Sequence, residues 1–80
     1  MKVLNSYQLS CNGYMVSELG NTKIKLYKEH KCYHLRHTNV LGAGDVWEVM
    51  SKYTTAIAQF RKLKAIQKGN YLMKNYQVLP

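Results

Sequence analysis

The chain has 80 residues, 46% of them hydrophobic, and its 12 Lys and Arg against 4 Asp and Glu give a formal net charge of +8. This length predicts one small domain, the composition excludes the disordered class, and no apolar run approaches the roughly 20 residues of a membrane-spanning helix. Two cysteines are too few for a disulfide framework and the first residues lack the apolar stretch of a secretory signal, which predicts a cytoplasmic protein with free thiols.

The first half of the chain predicts a β-meander. The Asn-Gly pair at residues 12–13 and the Gly-Asn pair at residues 20–21 are typical of two-residue hairpin turns, because these residue types tolerate positive φ. Val3, Tyr7 and Leu9 alternate with polar residues before the first turn. The predicted strands cover residues 3–9, 14–19, 23–27 and 32–38, and residues 28–31 connect the last two.

Alternation in the third and fourth predicted strands divides their side chains between two faces of the sheet. Ile24 and Leu26 share one face, together with Tyr33 and Leu35 of the next strand. We expect this apolar set to pack beneath a helix. The side chains expected on the opposite face are Lys23, Lys25, Tyr27, His34 and Arg36.

Residues 45–68 predict one amphipathic helix. Asp45 and Glu48 have the spacing of a capping pair at its start, and Gly69 has the place of a C-cap residue. The flexible residues 39–44 would lead into this helix, and residues 71–80 would form a short edge strand or a tail. Apolar residues recur at steps of three and four at Val46, Val49, Tyr53, Ala56, Phe60 and Leu63. The predicted fold class is α+β, in which a four-stranded antiparallel meander (residues 1–39) precedes one long helix (residues 45–68) that packs on one face.

The charge excess favours a polyanionic partner, and two basic surfaces are candidates to bind it. Lys23, Lys25, Tyr27, His34 and Arg36 combine cations that attract phosphates with rings that stack on bases. Arg61, Lys64 and Lys68 lie together near the helix end. The alternatives are a solvated sheet face and charges that complement the helix dipole. The leading hypothesis is a non-enzymatic nucleic-acid-binding module without a cofactor or a membrane partner.

A second hypothesis is a protein-interaction module or inhibitor that docks on an acidic surface of a larger protein. Small basic proteins of phages and mobile elements that act against a host or its defences are of this kind. Trp47 and Met50, expected beside the helix stripe, would then serve as interface anchors. The long helix is also expected to overhang the small sheet, which makes a homodimer an option.

Metal binding and catalysis have less support in the sequence. His30, Cys32, His34 and His37 fall within eight positions, and Cys11 is a further thiol, but the spacing is poor for zinc. Four acidic residues give little material for carboxylate chemistry, and no phosphate-binding or nucleophile motif is present. A third hypothesis remains, a metal-free ribonuclease with His34 or His37 as general base and with Arg36 and Lys25 stabilising phosphate charge.

Overall fold

A computed structural model describes residues 4–42 and 44–78 as a four-stranded antiparallel sheet with two helices. The strands are neighbours in the sheet in the same order as in the chain, so they form a meander. The predicted α+β fold, a four-stranded antiparallel meander with a long helix on one face, is confirmed. The elements are α1 (Ser6–Asn12), β1 (Tyr14–Leu19), β2 (Thr22–Glu29), β3 (Cys32–Thr38), β4 (Asp45–Met50) and α2 (Tyr53–Val78).

Three strands and the division of their faces agree with the sequence. β1 and β3 have the predicted bounds, and Gly20 turns the chain between β1 and β2 with φ 63°. The predicted connection at residues 28–31 is too long. Lys28 and Glu29 pair with β3, and the turn consists of His30 and Lys31 alone, at φ 53° and 64°. Positive φ at both residues is typical of the mirror-image turn that suits the twist of a hairpin.

The predicted first strand is wrong, because those residues form α1. The Asn5 side chain accepts a hydrogen bond from the Gln8 backbone N–H (2.8 Å), and the Gln8 side chain accepts one from the Asn5 N–H (3.0 Å). This capping box starts a helix whose Leu9 side chain is completely buried. Gly13, at φ 85°, ends α1 rather than turning a hairpin. Val3, assigned to the same predicted strand, lies outside the described residues.

The predicted helix over residues 45–68 is wrong at both ends. Residues 45–50 are β4, paired with β3, so Asp45 and Glu48 cap no helix. α2 starts at Tyr53 and continues through Gly69 to Val78. Its 26 residues give a length of about 39 Å at 1.5 Å per residue. Residues 71–78 are therefore helical rather than an edge strand, and residues 79–80 lie outside the described part of the chain.

The core lies between the sheet and α2. Ala56, Ile57, Phe60 and Leu63 of the helix are buried with the inward side chains of the strands, of which Ile24, Leu26 and Leu35 are completely buried. Each fully buried side chain of this size contributes about 1.5–3 kcal/mol of transfer free energy. This packing explains why the predicted inward set is apolar.

Polar contacts fix both helices to the same face of the sheet. The buried Gln67 amide accepts a hydrogen bond from Ser17 Oγ (2.7 Å) and donates to Ser17 O (3.1 Å) and Thr22 Oγ1 (2.9 Å). At the other end of the sheet, the Ser6 and Tyr33 hydroxyls hydrogen-bond to each other, which ties α1 to β3. The opposite face of the sheet remains uncovered by either helix. In the described chain, neither helix has the length and apolar character needed to cross a membrane.

Candidate functional site

The uncovered side of the sheet carries three rows of side chains that run across the strands. We define this surface as the open face. In order from β1 to β4, the rows are Tyr14, Tyr27, His34 and Val49; then Val16, Lys25, Arg36 and Trp47; then Glu18, Lys23, Thr38 and Asp45. All five side chains predicted for this face lie on it, so the structure brings Lys23, Lys25, Tyr27, His34 and Arg36 together.

Three rings of the open face form an aromatic ladder across β2, β3 and β4. The Tyr27 and His34 ring centroids are 5.0 Å apart with the planes 6° from parallel. The His34 and Trp47 centroids are 5.8 Å apart with an angle of 27°. Trp47 ends the ladder on the edge strand and keeps 59% of its surface exposed. Within the described part of the chain, the ladder therefore presents exposed aromatic surface at Trp47.

Hydrogen bonds hold the central ring of this ladder in one orientation. Trp47 Nε1 donates to His34 Nδ1 (3.1 Å), and His34 Nε2 lies 3.2 Å from the Glu29 carbonyl oxygen. An indole N–H only donates and a carbonyl oxygen only accepts, so Nδ1 is the acceptor in the first contact and Nε2 the donor in the second. Both ring nitrogens are therefore engaged within the protein, and Tyr27 and Trp47 stack on the ring from the neighbouring strands.

Lys25 and Arg36 form a cation pair in the middle row, directly opposite each other on β2 and β3. Lys25 Nζ lies 4.5 Å from the Tyr14 ring centroid, and Arg36 Cζ lies 5.3 Å from that of Trp47. Among the described residues, neither cation forms an ion pair with a carboxylate. Like charges directly opposite in a sheet are destabilising, and contact with aromatic rings offsets only part of this repulsion. The cation pair is therefore available to an external anion.

A hollow of about 270 Å³ lies beside the cation pair. At its far side Lys23 pairs with Glu18 (3.7 Å), and Thr38 donates a hydrogen bond to Asp45 (2.7 Å). The third row holds one cation and two carboxylates, so its net charge is −1, and the positive charge of the open face belongs to the cation pair. The hollow is smaller than the roughly 300–1,000 Å³ of drug-sized ligand sites. Its size and charge suit a phosphate group with part of its sugar. The lining residues are Lys23, Lys25, Tyr27, Arg36, His37, Thr38, Asp45 and Val46.

A second hollow, of about 340 Å³, lies between the β1–β2 turn and α2. Asn21, Asn39 and Asn70 contribute amide groups to it, and Tyr71 contributes a ring. None of the described residues that line this hollow is charged. It therefore offers no counter-charge to a polyanion, in contrast to the hollow on the open face.

The predicted helix site is separated from the open face. Arg61, Lys64 and Lys68 lie on α2, which packs against the opposite side of the sheet. Met50, expected beside a helix stripe, instead belongs to β4 and is half-buried against the core. Trp47 was expected beside the same stripe, but it lies on the open face. The two groups of cations therefore cannot act as one surface.

Trp47 and Tyr14 were not predicted as members of the open face. Trp47 was hidden by the wrong helix assignment of residues 45–50, which form β4. Tyr14 lies on the same face of β1 as Val16, so the period of two in that strand could have identified it. Both rings contact a member of the cation pair.

The histidines and cysteines do not converge on one site. His34 lies on the open face, whereas His37 is in the core at 2% exposure. Neither His37 nitrogen has a hydrogen-bond partner among the described residues. In the part of the chain that the structure describes, no three His, Cys, Asp or Glu side chains are grouped to hold a metal ion.

Comparisons of the chain with protein-family models, curated proteins and solved structures find no match. We therefore infer function from the chemistry of the open face. This face combines an uncompensated cation pair, a neighbouring hollow and a ladder of three stacked rings.

Proposed function

We propose that the protein is a non-enzymatic nucleic-acid-binding module whose open face is the binding surface. Lys25, Arg36 and Lys23 contact backbone phosphates, while the aromatic ladder contacts bases. The observation that carries the proposal is the cation pair. Its two cations lie directly opposite each other and next to exposed rings, and neither has a carboxylate partner among residues 4–42 and 44–78. A phosphate bound between them offsets their mutual repulsion, because it supplies the negative charge that neutralises both cations.

Known RNA-binding modules support this assignment on physical grounds. Some of them expose one face of a four-stranded sheet and stack two or three bases on its aromatic side chains. Stacking accepts every base, and phosphate contacts are independent of sequence, so the open face is expected to bind with little sequence preference.

The basic side chains of α2 act at a distance in this proposal. Arg61, Lys64 and Lys68 are behind the sheet, so they add to the overall positive potential without contacting a strand bound on the open face. Such a field increases the association rate and is screened by salt. The direct contacts are expected to determine the dissociation rate.

Binding is tested by fluorescence anisotropy with labelled oligonucleotides over a range of salt concentrations. Three phosphate contacts on a single strand predict a slope of about −2 in log K against log salt, at roughly 0.7 per contact. The variant Lys25→Glu/Arg36→Glu is expected to abolish binding and to retain its circular dichroism spectrum and cooperative melting.

Arg61→Glu/Lys68→Glu is the matched control, because it also replaces one Arg and one Lys and removes the same net charge. We expect it to weaken binding only modestly, with the slope preserved. Equal losses in the two double variants would refute a localised site, and retained affinity in Lys25→Glu/Arg36→Glu would refute the open face.

Docking on an acidic protein is the second candidate, and the exposure of large side chains on the same face favours it. Trp47 is 59% exposed and Tyr14 is 55% exposed, and both contact a cation. Trp, Tyr and Arg are the residue types that dominate binding energy at protein interfaces.

The ratio of absorbance at 260 and 280 nm after low-salt purification separates the candidates. Co-purified nucleic acid that leaves in high salt supports the first, while one defined co-purified protein supports the second.

A further inference from the structure

We infer that the open face selects single-stranded nucleic acid and stacks its unpaired bases on the aromatic ladder. This inference rests on the proposed function and narrows it to one class of ligand. It depends on three features of the open face, namely its width, the order of its rows and the position of the only tryptophan in the chain.

The width of the sheet excludes base contacts in a duplex. Four strands with a spacing of about 4.8 Å place the outer strands about 14 Å apart, before side chains are added. The major groove of B-DNA is about 12 Å wide and admits a helix or a two-stranded ribbon, and the minor groove is narrower. A four-stranded face of this width fits neither groove of undistorted B-DNA. Against a duplex, the cation pair reaches phosphates while the ladder contacts no base.

The spacing between the row of rings and the row of cations matches the distance between the base and the phosphate of a single nucleotide. Neighbouring rows are two residues apart along a strand, which is about 7 Å. Tyr27 and His34 therefore lie one row away from Lys25 and Arg36 across the same two strands. In an unpaired nucleotide the sugar separates the base from the phosphate by a comparable distance. A strand lying along the face can thus place phosphates at the hollow and bases beside Tyr27 and His34, with Trp47 at the end of the ladder in the cation row.

The fluorescence of Trp47 reports on base stacking, because Trp47 is the single tryptophan of the chain and the exposed end of the ladder. A base stacked there quenches its fluorescence, whereas a phosphate bound at the hollow leaves the ring exposed. Three probes separate these events: a single-stranded octanucleotide, a longer blunt duplex that contains the same sequence, and inorganic polyphosphate.

We expect saturable quenching by the single strand, with affinity at least ten-fold greater than for the duplex. Polyphosphate is expected to displace the strand at low salt without itself quenching Trp47. Equal affinity and equal quenching by the duplex would overturn the single-strand inference and leave the nucleic-acid proposal standing. Absence of binding by either oligonucleotide in the anisotropy assay would overturn both.

Substitution of one ladder ring gives an independent test. Tyr27→Ala is expected to weaken single-strand binding about ten-fold, which is within the range for loss of one stacked base, and to weaken duplex binding less. Tyr7→Ala is the control, because Tyr7 is an exposed tyrosine on α1, the helix that packs behind the sheet. Equal weakening of single-strand and duplex binding by Tyr27→Ala would overturn the stacking role. Thermal melting verifies that both variants remain folded.

Discussion

Replacement of His37 by leucine is expected to stabilise the protein. His37 is 2% exposed and faces the core from β3, between Ile24 of β2 and Val46 of β4. Both ring nitrogens are buried and have no hydrogen-bond partner among the described residues. Leucine has a similar volume and no polar atom, so the variant removes the desolvation cost of the imidazole without leaving a large cavity.

The expected gain follows from the cost of a buried unpaired polar group, which is about 1–3 kcal/mol. Part of the gain in stability is lost because leucine must fit a site shaped by a planar ring. We therefore expect the free energy of unfolding to rise by about 1–2 kcal/mol. In a domain of 60–100 residues each kcal/mol shifts the melting temperature by about 4–8 °C. The expected rise in Tm is therefore about 5–15 °C.

Urea and thermal denaturation followed by circular dichroism measure this gain. His34→Leu is the matched control, since it makes the same substitution three residues away on the opposite face of β3. It breaks the hydrogen bond from Trp47 and the stack with Tyr27, so we expect no gain in stability and weaker binding. A Tm for His37→Leu at or below that of the unaltered protein would refute the reasoning. That result would mean that the His37 nitrogens are satisfied in solution, for example by buried water.

Three further substitutions test the elements that hold the fold. Asn5→Ala removes the capping box of α1 and is expected to lower the free energy of unfolding by about 1 kcal/mol in urea titrations. Gln67→Leu breaks the bonds that join α2 to Ser17 and the β1–β2 hairpin, and a loss of about 1–3 kcal/mol is expected in the same assay. Changing residues 30–31 to Asn-Gly supplies residues that favour positive φ, so Tm is expected to rise; an unchanged or lower Tm would contradict the turn geometry.

The sequence was sufficient to predict the strands in which apolar and polar residues alternate with a period of two. In β3, Tyr33 and Leu35 alternate with His34 and Arg36, and this alternation cannot be accommodated by one helix face. The bounds of the strand and the side chains on each face follow from that local pattern. Five open-face residues could be named for the same reason.

The region of β4 was beyond local inference, because the apolar residues of 45–50 follow a helical spacing rather than the alternation of a strand. Val46 and Val49 have helical spacing with Tyr53, while Val46, Glu48 and Met50 share one face of a strand. The free edge of β3, the preceding strand in the chain, decides between them by offering backbone partners. Trp47 joins the site only through this pairing. The aromatic ladder therefore depends on sheet register, which composition and spacing do not reveal.

The wrong prediction of a strand where α1 lies has a different cause, because the residues that identify the helix are close together in the sequence. Asn5 and Gln8 have the spacing of a capping box, a stronger indication than the irregular alternation of Tyr7 and Leu9. The turn assigned to residues 12–13 then became the end of a helix, which is an equally favourable place for Gly13 at φ 85°.

The strictly sequential strand order has a consequence for synthesis on the ribosome. Each sheet contact joins strands that are adjacent in the chain, so the hairpins can form as soon as their residues leave the exit tunnel. The apolar side of that sheet, however, is covered mainly by residues 56–67, which emerge after all four strands. A nascent chain that has released β4 but not α2 thus displays the rows of the open face on one side and an uncovered core on the other. In the cell, the interval between those two events is when this protein is most exposed to chaperones and to aggregation.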